Sequence, residues 1–221
     1  YVAGMYLNDA FDRQFDARHR PERPIPSGAV SARTVFTAGF GMLAAGVALL
    51  AWLGFGPAQG TGWPPFVAGV ALAAAIVWYD LHHKGNPASP LLMGLCRALV
   101  YVAAACVVVA RPPVAVFVGA LLLLSYLIGL TYVARQEHLG RVANLWPLLF
   151  LALPLAWTAR AAVEGGFVAV LWLLLAAWLL YALSFLWRRR AGDVPRAVGH
   201  LIAGICLWDA LLIADAGQPA L

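Results

Sequence analysis

Seven apolar runs, each close to the length of a membrane crossing, constrain this chain more than any other feature. They are Thr34–Phe55, Trp63–Tyr79, Pro90–Ala110, Val114–Val133, Val142–Trp157, Phe167–Trp187 and Ala197–Ala214. A helix needs roughly 20 residues to cross the hydrocarbon, and two of the runs are nearer the lower limit. Hydrophobic residues make up 63% of the 221 and charged residues 11%, against about 25% charged in soluble domains. A water-soluble fold of this length could not hide so much apolar surface. The expectation is therefore an all-α, polytopic membrane bundle forming one transmembrane domain over residues 1–221. The alternation that marks membrane barrels is absent. Gly39, Gly41, Gly94, Pro147 and Pro154 fall within the runs, where neighbouring helices can satisfy the backbone groups they free.

The net charge of +5 does not point to nucleic acid, because of where the cations sit. Twelve of the fifteen lie in every second connection: Arg13, Arg18, Arg20, Arg23, Arg33, Lys84, Arg135, Arg141, Arg188, Arg189, Arg190 and Arg196. Positive connections stay on the cytoplasmic side. The polar start of the chain, Lys84, "ARQEHLGR" and "WRRRAGDVPR" thus share that side, with a bacterial inner membrane as the expected location. "RRR" reads as a topology anchor. Cys96, Cys106 and Cys206 all lie inside runs without a CxxC pairing, so no disulfide or zinc framework follows. Trp63, Trp157 and Trp187 close runs where aromatic belts are expected. Gly41 with Ala45, and Gly69 with Ala73, have the spacing of small-residue helix packing. The chain opens with "YVAGMYL", which reads as the last turns of a preceding helix whose start is missing.

That helix would lead into the most polar stretch of the chain, "NDAFDRQFDARHRPERPIPSG". At 100° per residue Asp9, Asp12 and Asp16 form one stripe, Asp12 about 60° and Asp16 about 20° from Asp9, over a rise of about 10 Å. Three like charges on one stripe repel, so a positive group should sit among them. A divalent cation is the economical answer. Mg²⁺ prefers hard oxygen ligands and commonly takes one or two carboxylates while substrate phosphates complete its shell. Asn8 adds a carbonyl oxygen, and Arg13, Arg20 and Arg23 can hold phosphate oxygens through their planar forks. The plain alternative is a cationic interface loop solvated by scattered aspartates. The one-sided N-D-x-x-D-x-x-x-D spacing favours the site, and a lipid diphosphate suits it: charged head at the mouth, hydrocarbon tail between helices.

"NDAFDRQFD" followed by "RPIPSG" resembles the first signature of the UbiA family of membrane prenyltransferases. The resemblance implies a nine-helix bundle in two halves, each with an Asp-rich motif at the cytoplasmic mouth. This chain would supply seven complete helices and the end of a truncated preceding one. It also implies Mg²⁺ as cofactor, an isoprenyl diphosphate as substrate and a prenyl acceptor that the residues do not identify. Asn8, Asp9, Asp12 and Asp16 would be the metal–diphosphate ligands. "YDLHHK" would supply the family's Tyr and basic residue as Tyr79 and Lys84, with His83 at the alternative spacing. Where the family carries a second D-x-x-x-D, this chain reads "TYVARQEHLGR", with one acid, Glu137. Arg135 and Arg141 would there replace a second ion's charge at the diphosphate. "YDLHHKGNPASPLLMGLCRALVY", "ARQEHLGR" and "HLIAGICLWDALLIA" together resemble one branch, the EboC-like proteins.

Within the runs, Arg97 would lie about 10 Å inside the membrane and Asp209 about 16 Å. A buried cation there needs a partner. Two readings stay open: an ion pair of Arg97 with Asp209, or Arg97 directed at the diphosphate from below. The expected activity is prenyl transfer, with Tyr79 or Tyr132 facing the allylic cation. A CDP-alcohol phosphotransferase would need a D-G-x-x-A-R pattern that the chain lacks. A non-catalytic relative that binds or moves a lipid-linked metabolite is the alternative, supported by the degenerate second motif.

Overall fold

The computed structural model describes residues 1–56, 59–135, 146–188, 190 and 192–217. Among the described residues eight α-helices follow in order: α1 (Val2–His19), α2 (Ala32–Phe55), α3 (Trp63–His82), α4 (Ser89–Val108), α5 (Val114–Arg135), α6 (Leu149–Val163), α7 (Gly166–Arg188) and α8 (Asp193–Asp215). A 3₁₀ turn, Trp146–Leu148, leads into α6. Among the described residues there is no strand. Seven of the helical segments are long and apolar enough to cross a membrane, α6 counted together with its 3₁₀ turn. The chain is an integral membrane protein of helical-bundle type. It divides into two compact units, Tyr1–Ala120 and Leu121–Leu221.

In the first unit α1 packs on α2 and α3, and α3 on α4. Helix α2 starts where Ser31, in extended conformation, accepts a hydrogen bond from the Thr34 amide at 3.1 Å. This side-chain cap satisfies one of the free donors at a helix start. Helix α3 starts at Gly62-Trp-Pro-Pro: Gly62 takes a positive φ of 84°, and prolines in the first turn cost nothing because those amides have no helical partner. Close approach of α1 to α2 depends on Gly39, where a Cβ would come within 2.8 Å of the Leu7 side chain. Gly69 does the same for α3 against Leu50 of α2, at 2.6 Å. Gly41, expected to pack in this way, meets nothing within 4 Å among the described residues, so in this pairing Gly39 is the contact glycine.

In the second unit α7 packs on α8 and α6 on α7. Pro154 inside α6 has no amide for the Phe150 carbonyl. The Ser125 hydroxyl of α5 donates to that carbonyl at 2.9 Å. Thr158 Oγ1 donates to Pro154 O at 2.9 Å and Trp172 Nε1 to Leu155 O at 2.9 Å. The Ser125 bond thus satisfies the carbonyl freed by the proline, and the other two add side-chain bonds to carbonyls just beyond it. Tyr126 Oη donates to Leu201 O at 2.7 Å, tying α5 to α8, and Trp178 Nε1 to His200 O at 2.7 Å, tying α7 to α8. The basic run after α7 is anchored by one buried carboxylate. Asp193 accepts from the Arg190 amide at 3.0 Å and pairs with Arg188 at 3.3 Å and Arg196 at 3.7 Å.

The fifth run, Val142–Trp157, is displaced from its expected bounds. Its helix ends at Val163, not Trp157, and its described part begins with the turn at Trp146. Hydropathy marks the apolar stretch, whereas the helix continues through "TARAAV" until Gly165 and Gly166, both at positive φ. Trp63, Trp157 and Trp187 are all more than half exposed, as belt residues facing lipid headgroups would be.

Candidate active site

The polar cluster lies wholly within the first unit and is built from α1, the turn-rich segment after it, and the end of α3. Helix α1 runs unbroken through the acidic stretch to His19, so the stripe inferred from spacing forms. It has two edges. Asp9 and Asp16 face the following segment, and Asn8 and Asp12 face α3.

Arg23 serves the first edge. Its Nη1 donates to Asp9 Oδ1 at 2.9 Å and to Asp16 Oδ2 at 3.0 Å. One guanidinium nitrogen thus bridges two carboxylates two turns apart. The Asp16 side chain is 3% exposed and the Asp9 side chain 52%, so the inner carboxylate depends on Arg23 far more than the outer one. "RPIPSG" explains how Arg23 is held. The Ser27 amide donates to Arg23 O at 2.9 Å, Gly28 N to Ile25 O at 3.1 Å and Val30 N to Pro24 O at 3.2 Å. Gly28 has a φ of 79°, a conformation that suits glycine. These turns fold the segment back over α1 and enclose a cavity of about 300 Å³, lined by Tyr6, Asp9, Asp16, Arg23 and Pro24 among others.

Lys84 and His83 serve the second edge. Lys84 Nζ pairs with Asp12 Oδ1 at 3.0 Å, and His83 Nε2 lies 3.5 Å from Asp12 Oδ2. Burial alone would push the Asp12 carboxyl up, but His83 and Lys84 beside it outweigh that and hold it below the usual carboxylate range. Contact with Asp12 in turn overrides burial and pushes the His83 imidazole above its ordinary value. The Lys84 ammonium also sits 3.4 Å from the Phe15 ring centroid, a cation–π contact that fixes its long stem. Tyr79 stacks on His83 with centroids 5.0 Å apart.

The cations among the three acids are therefore Arg23 and Lys84, with the His83 imidazole beside Asp12. Arg13 turns away: its Nη1 donates to Ala10 O at 2.9 Å and its guanidinium faces the Phe36 ring at 5.5 Å. Arg20 caps α1, its amide donating to Asp16 O at 2.7 Å, with its side chain exposed. Arg97 on α4 lies 5.3 Å from the Tyr1 ring centroid. Arg135 ends α5 in the second unit, where Tyr132 and Asp209 also stand. Glu137 and Arg141 lie outside the described residues.

Sequence reasoning missed one group. Asn8 Nδ2 donates to Asp80 Oδ1 at 3.3 Å across α1 and α3. Asp80 is 5% exposed, and its Oδ2 is buried without a hydrogen-bond partner. The signal was present in "YDLHHK": an acid at the end of an apolar run, three and four residues before His83 and Lys84, hence on their helix face.

The profile of the UbiA prenyltransferase family matches residues 1–205. The chain belongs to the UbiA prenyltransferase family. Similar curated proteins include digeranylgeranylglyceryl phosphate synthases of three archaea. That of Metallosphaera sedula is 34% identical over 86 residues, 38% of this chain and 28% of the relative. That of Methanoregula boonei is 34% identical over 88 residues, covering 39% and 28%. That of Methanopyrus kandleri is 46% identical over 48 residues, covering 22% and 18%. The aligned stretch thus spans less than a third of each relative's length. No solved structure matches the chain. In this UbiA family member each of the three aspartates of α1 is paired with a cation.

The donor set suits a hard divalent cation: three carboxylates and the Asn8 amide, all oxygen donors. Among the described residues no three acids converge into a ready metal cage.

Proposed function

We propose that this UbiA family member transfers an isoprenyl group from an allylic diphosphate to an acceptor at the membrane surface. The observation that carries the reading is Arg23 bridging Asp9 and Asp16, beside Lys84 paired with Asp12. Carboxylates for a metal and cations for phosphate oxygens stand side by side at one helix end.

Asn8, Asp9, Asp12 and Asp16 would hold Mg²⁺ together with the diphosphate. Bound there, the ion supplies Lewis-acid charge that stabilises the departing oxygen. Arg23 and Lys84 exchange their carboxylate partners for phosphate oxygens, with the exposed Arg20 as a further diphosphate contact. Charge from these side chains stabilises the leaving group as the allylic C–O bond breaks and its electron pair departs with pyrophosphate. The ring of Tyr79 faces the resulting cation and keeps water from it. An acceptor heteroatom or aromatic carbon then bonds to the allylic carbon, and its proton passes to pyrophosphate or water. The relatives' names describe a geranylgeranylated glyceryl phosphate, which favours a polar hydroxyl acceptor here. The distribution of basic residues supports a site on the cytoplasmic side.

Lipid profiles of membranes from cells with and without the intact gene test this. A prenylated compound should vanish on deletion and return with the wild-type gene but not with Asp9→Ala. Identical lipid profiles in all strains, under conditions where the protein is made, would reject transfer. The single acid of the second motif, Glu137, favours the alternative of a lipid-diphosphate binder without transfer. Such a protein would bind farnesyl or geranylgeranyl diphosphate with Mg²⁺ yet release no pyrophosphate.

A further inference from the structure

Two rungs join α1 to α3: Asn8 with Asp80, and one turn on, Asp12 with His83 and Lys84. The second rung is charge against charge. The first pairs a carboxyl group with a neutral amide and leaves the Asp80 Oδ2 buried and unpartnered. A buried acid so poorly compensated costs stability, so its place in the fold calls for a use.

Its geometry supplies one. A carboxylate only accepts, and Asn8 can turn either its NH₂ or its carbonyl toward α3. Asp80 Oδ1 faces the amide and selects the NH₂, which leaves the Asn8 carbonyl oxygen turned away from Asp80 and available to another partner. The selection does not depend on whether Asp80 carries a proton on its other oxygen. We propose that Asp80 is a positioning residue: it fixes the flip of the Asn8 carboxamide so that a hard oxygen is presented to the metal–diphosphate. The inference rests on the metal-dependent diphosphate reading of this site. Partners of this kind, one shell out from a metal ligand, typically change metal affinity about 10–100-fold when removed.

Asp80→Asn keeps the shape but destroys the selection, because the new amide offers both a donor and an acceptor to Asn8. The exchange Asn8→Asp with Asp80→Asn restores it: the amide at position 80 donates to one oxygen of the acid at position 8 and leaves the other available. Detergent-solubilised full-length protein is titrated with MgCl₂ at fixed inorganic pyrophosphate, and the Mg²⁺ midpoint is read from the thermal shift. We expect wild type to show a pyrophosphate-dependent Mg²⁺ midpoint, Asp80→Asn to raise it about tenfold, and the exchange variant to return it to within about threefold. A merely structural Asp80 would lower the metal-free melting temperature and leave the midpoint in place. A midpoint unchanged in Asp80→Asn overturns the inference. Should that variant fail to fold, an exchange variant tenfold weaker than wild type overturns it equally. Absence of any Mg²⁺-dependent shift in wild type instead strikes the proposed function itself, and the inference falls with it.

Discussion

Arg23 carries the largest single burden in the site, because it is the cation beside the nearly inaccessible Asp16 carboxylate and also reaches Asp9. A hydrogen bond to a charged group contributes about 1.5–3 kcal/mol, equivalent to roughly a 10–100-fold change in binding. Arg23→Ala should therefore raise KM for the prenyl diphosphate by at least about tenfold. Arg23→Lys should recover part of the loss, because both bonds leave one nitrogen, Nη1, and an ammonium with three donors can also meet two carboxylates. Initial rates with labelled farnesyl or geranylgeranyl diphosphate measure both, and an Ala variant with unchanged KM would refute the bridging role. The acids of this stripe could be identified from helical spacing alone. Spacing could also put Asp80 on the face of His83 and Lys84, but not reveal its partner Asn8, 72 residues away in the chain. Nor could spacing tell which cations close on the acids. Arg13, Arg20 and Arg23 were equivalent in the sequence, and only the turns of "RPIPSG" return Arg23 to α1.

At the scale of elements, the helices are positioned by small, local devices. Ser125 donates to the carbonyl that Pro154 leaves without an amide. Ser125→Ala leaves that carbonyl unsatisfied, at a cost of about 1–3 kcal/mol, and should lower the melting temperature in detergent. Adding Pro154→Ala should recover most of the loss, since the amide returns. If the two changes are additive, Ser125 has another role. Gly39 is the corresponding device in the first unit. Gly39→Val drives a side chain into Leu7, and overpacking of this kind costs about 1–3 kcal/mol. Because Leu7 precedes Asn8 and Asp9, this variant should lose diphosphate binding as well as stability. Binding that survives intact would show the acidic stripe to be independent of the α1–α2 contact. The runs predicted from hydropathy located every crossing helix, but not every end. Hydropathy reports where a helix meets lipid, whereas ends are set by caps, prolines and positive-φ glycines such as Gly62, Gly165 and Gly166.

On the scale of the whole molecule, alternation of the spans fixes which connections share a side. The segment after α1 and the connection after α3 should both face the cytoplasm, and the connection between α2 and α3 the opposite side. Single cysteines at Ser27, Asn86 and Thr61, in a background without Cys96, Cys106 and Cys206, test this with a membrane-impermeant thiol reagent. In sealed right-side-out vesicles only the Thr61→Cys variant should label. Labelling of the Ser27→Cys variant would place the acidic stripe on the wrong face for a cytoplasmic diphosphate. The most direct measurement is pyrophosphate release by the purified full-length protein given geranylgeranyl or farnesyl diphosphate, Mg²⁺ and a glyceryl phosphate acceptor. We expect release that requires Mg²⁺ and falls at least about a hundredfold in Asp12→Asn, consistent with the 10²–10³ effect of removing one group that stabilises a developing charge. Release that persists unchanged in Asp9→Ala, Asp12→Asn and Asp16→Asn alike would contradict a reaction centred on this acidic row.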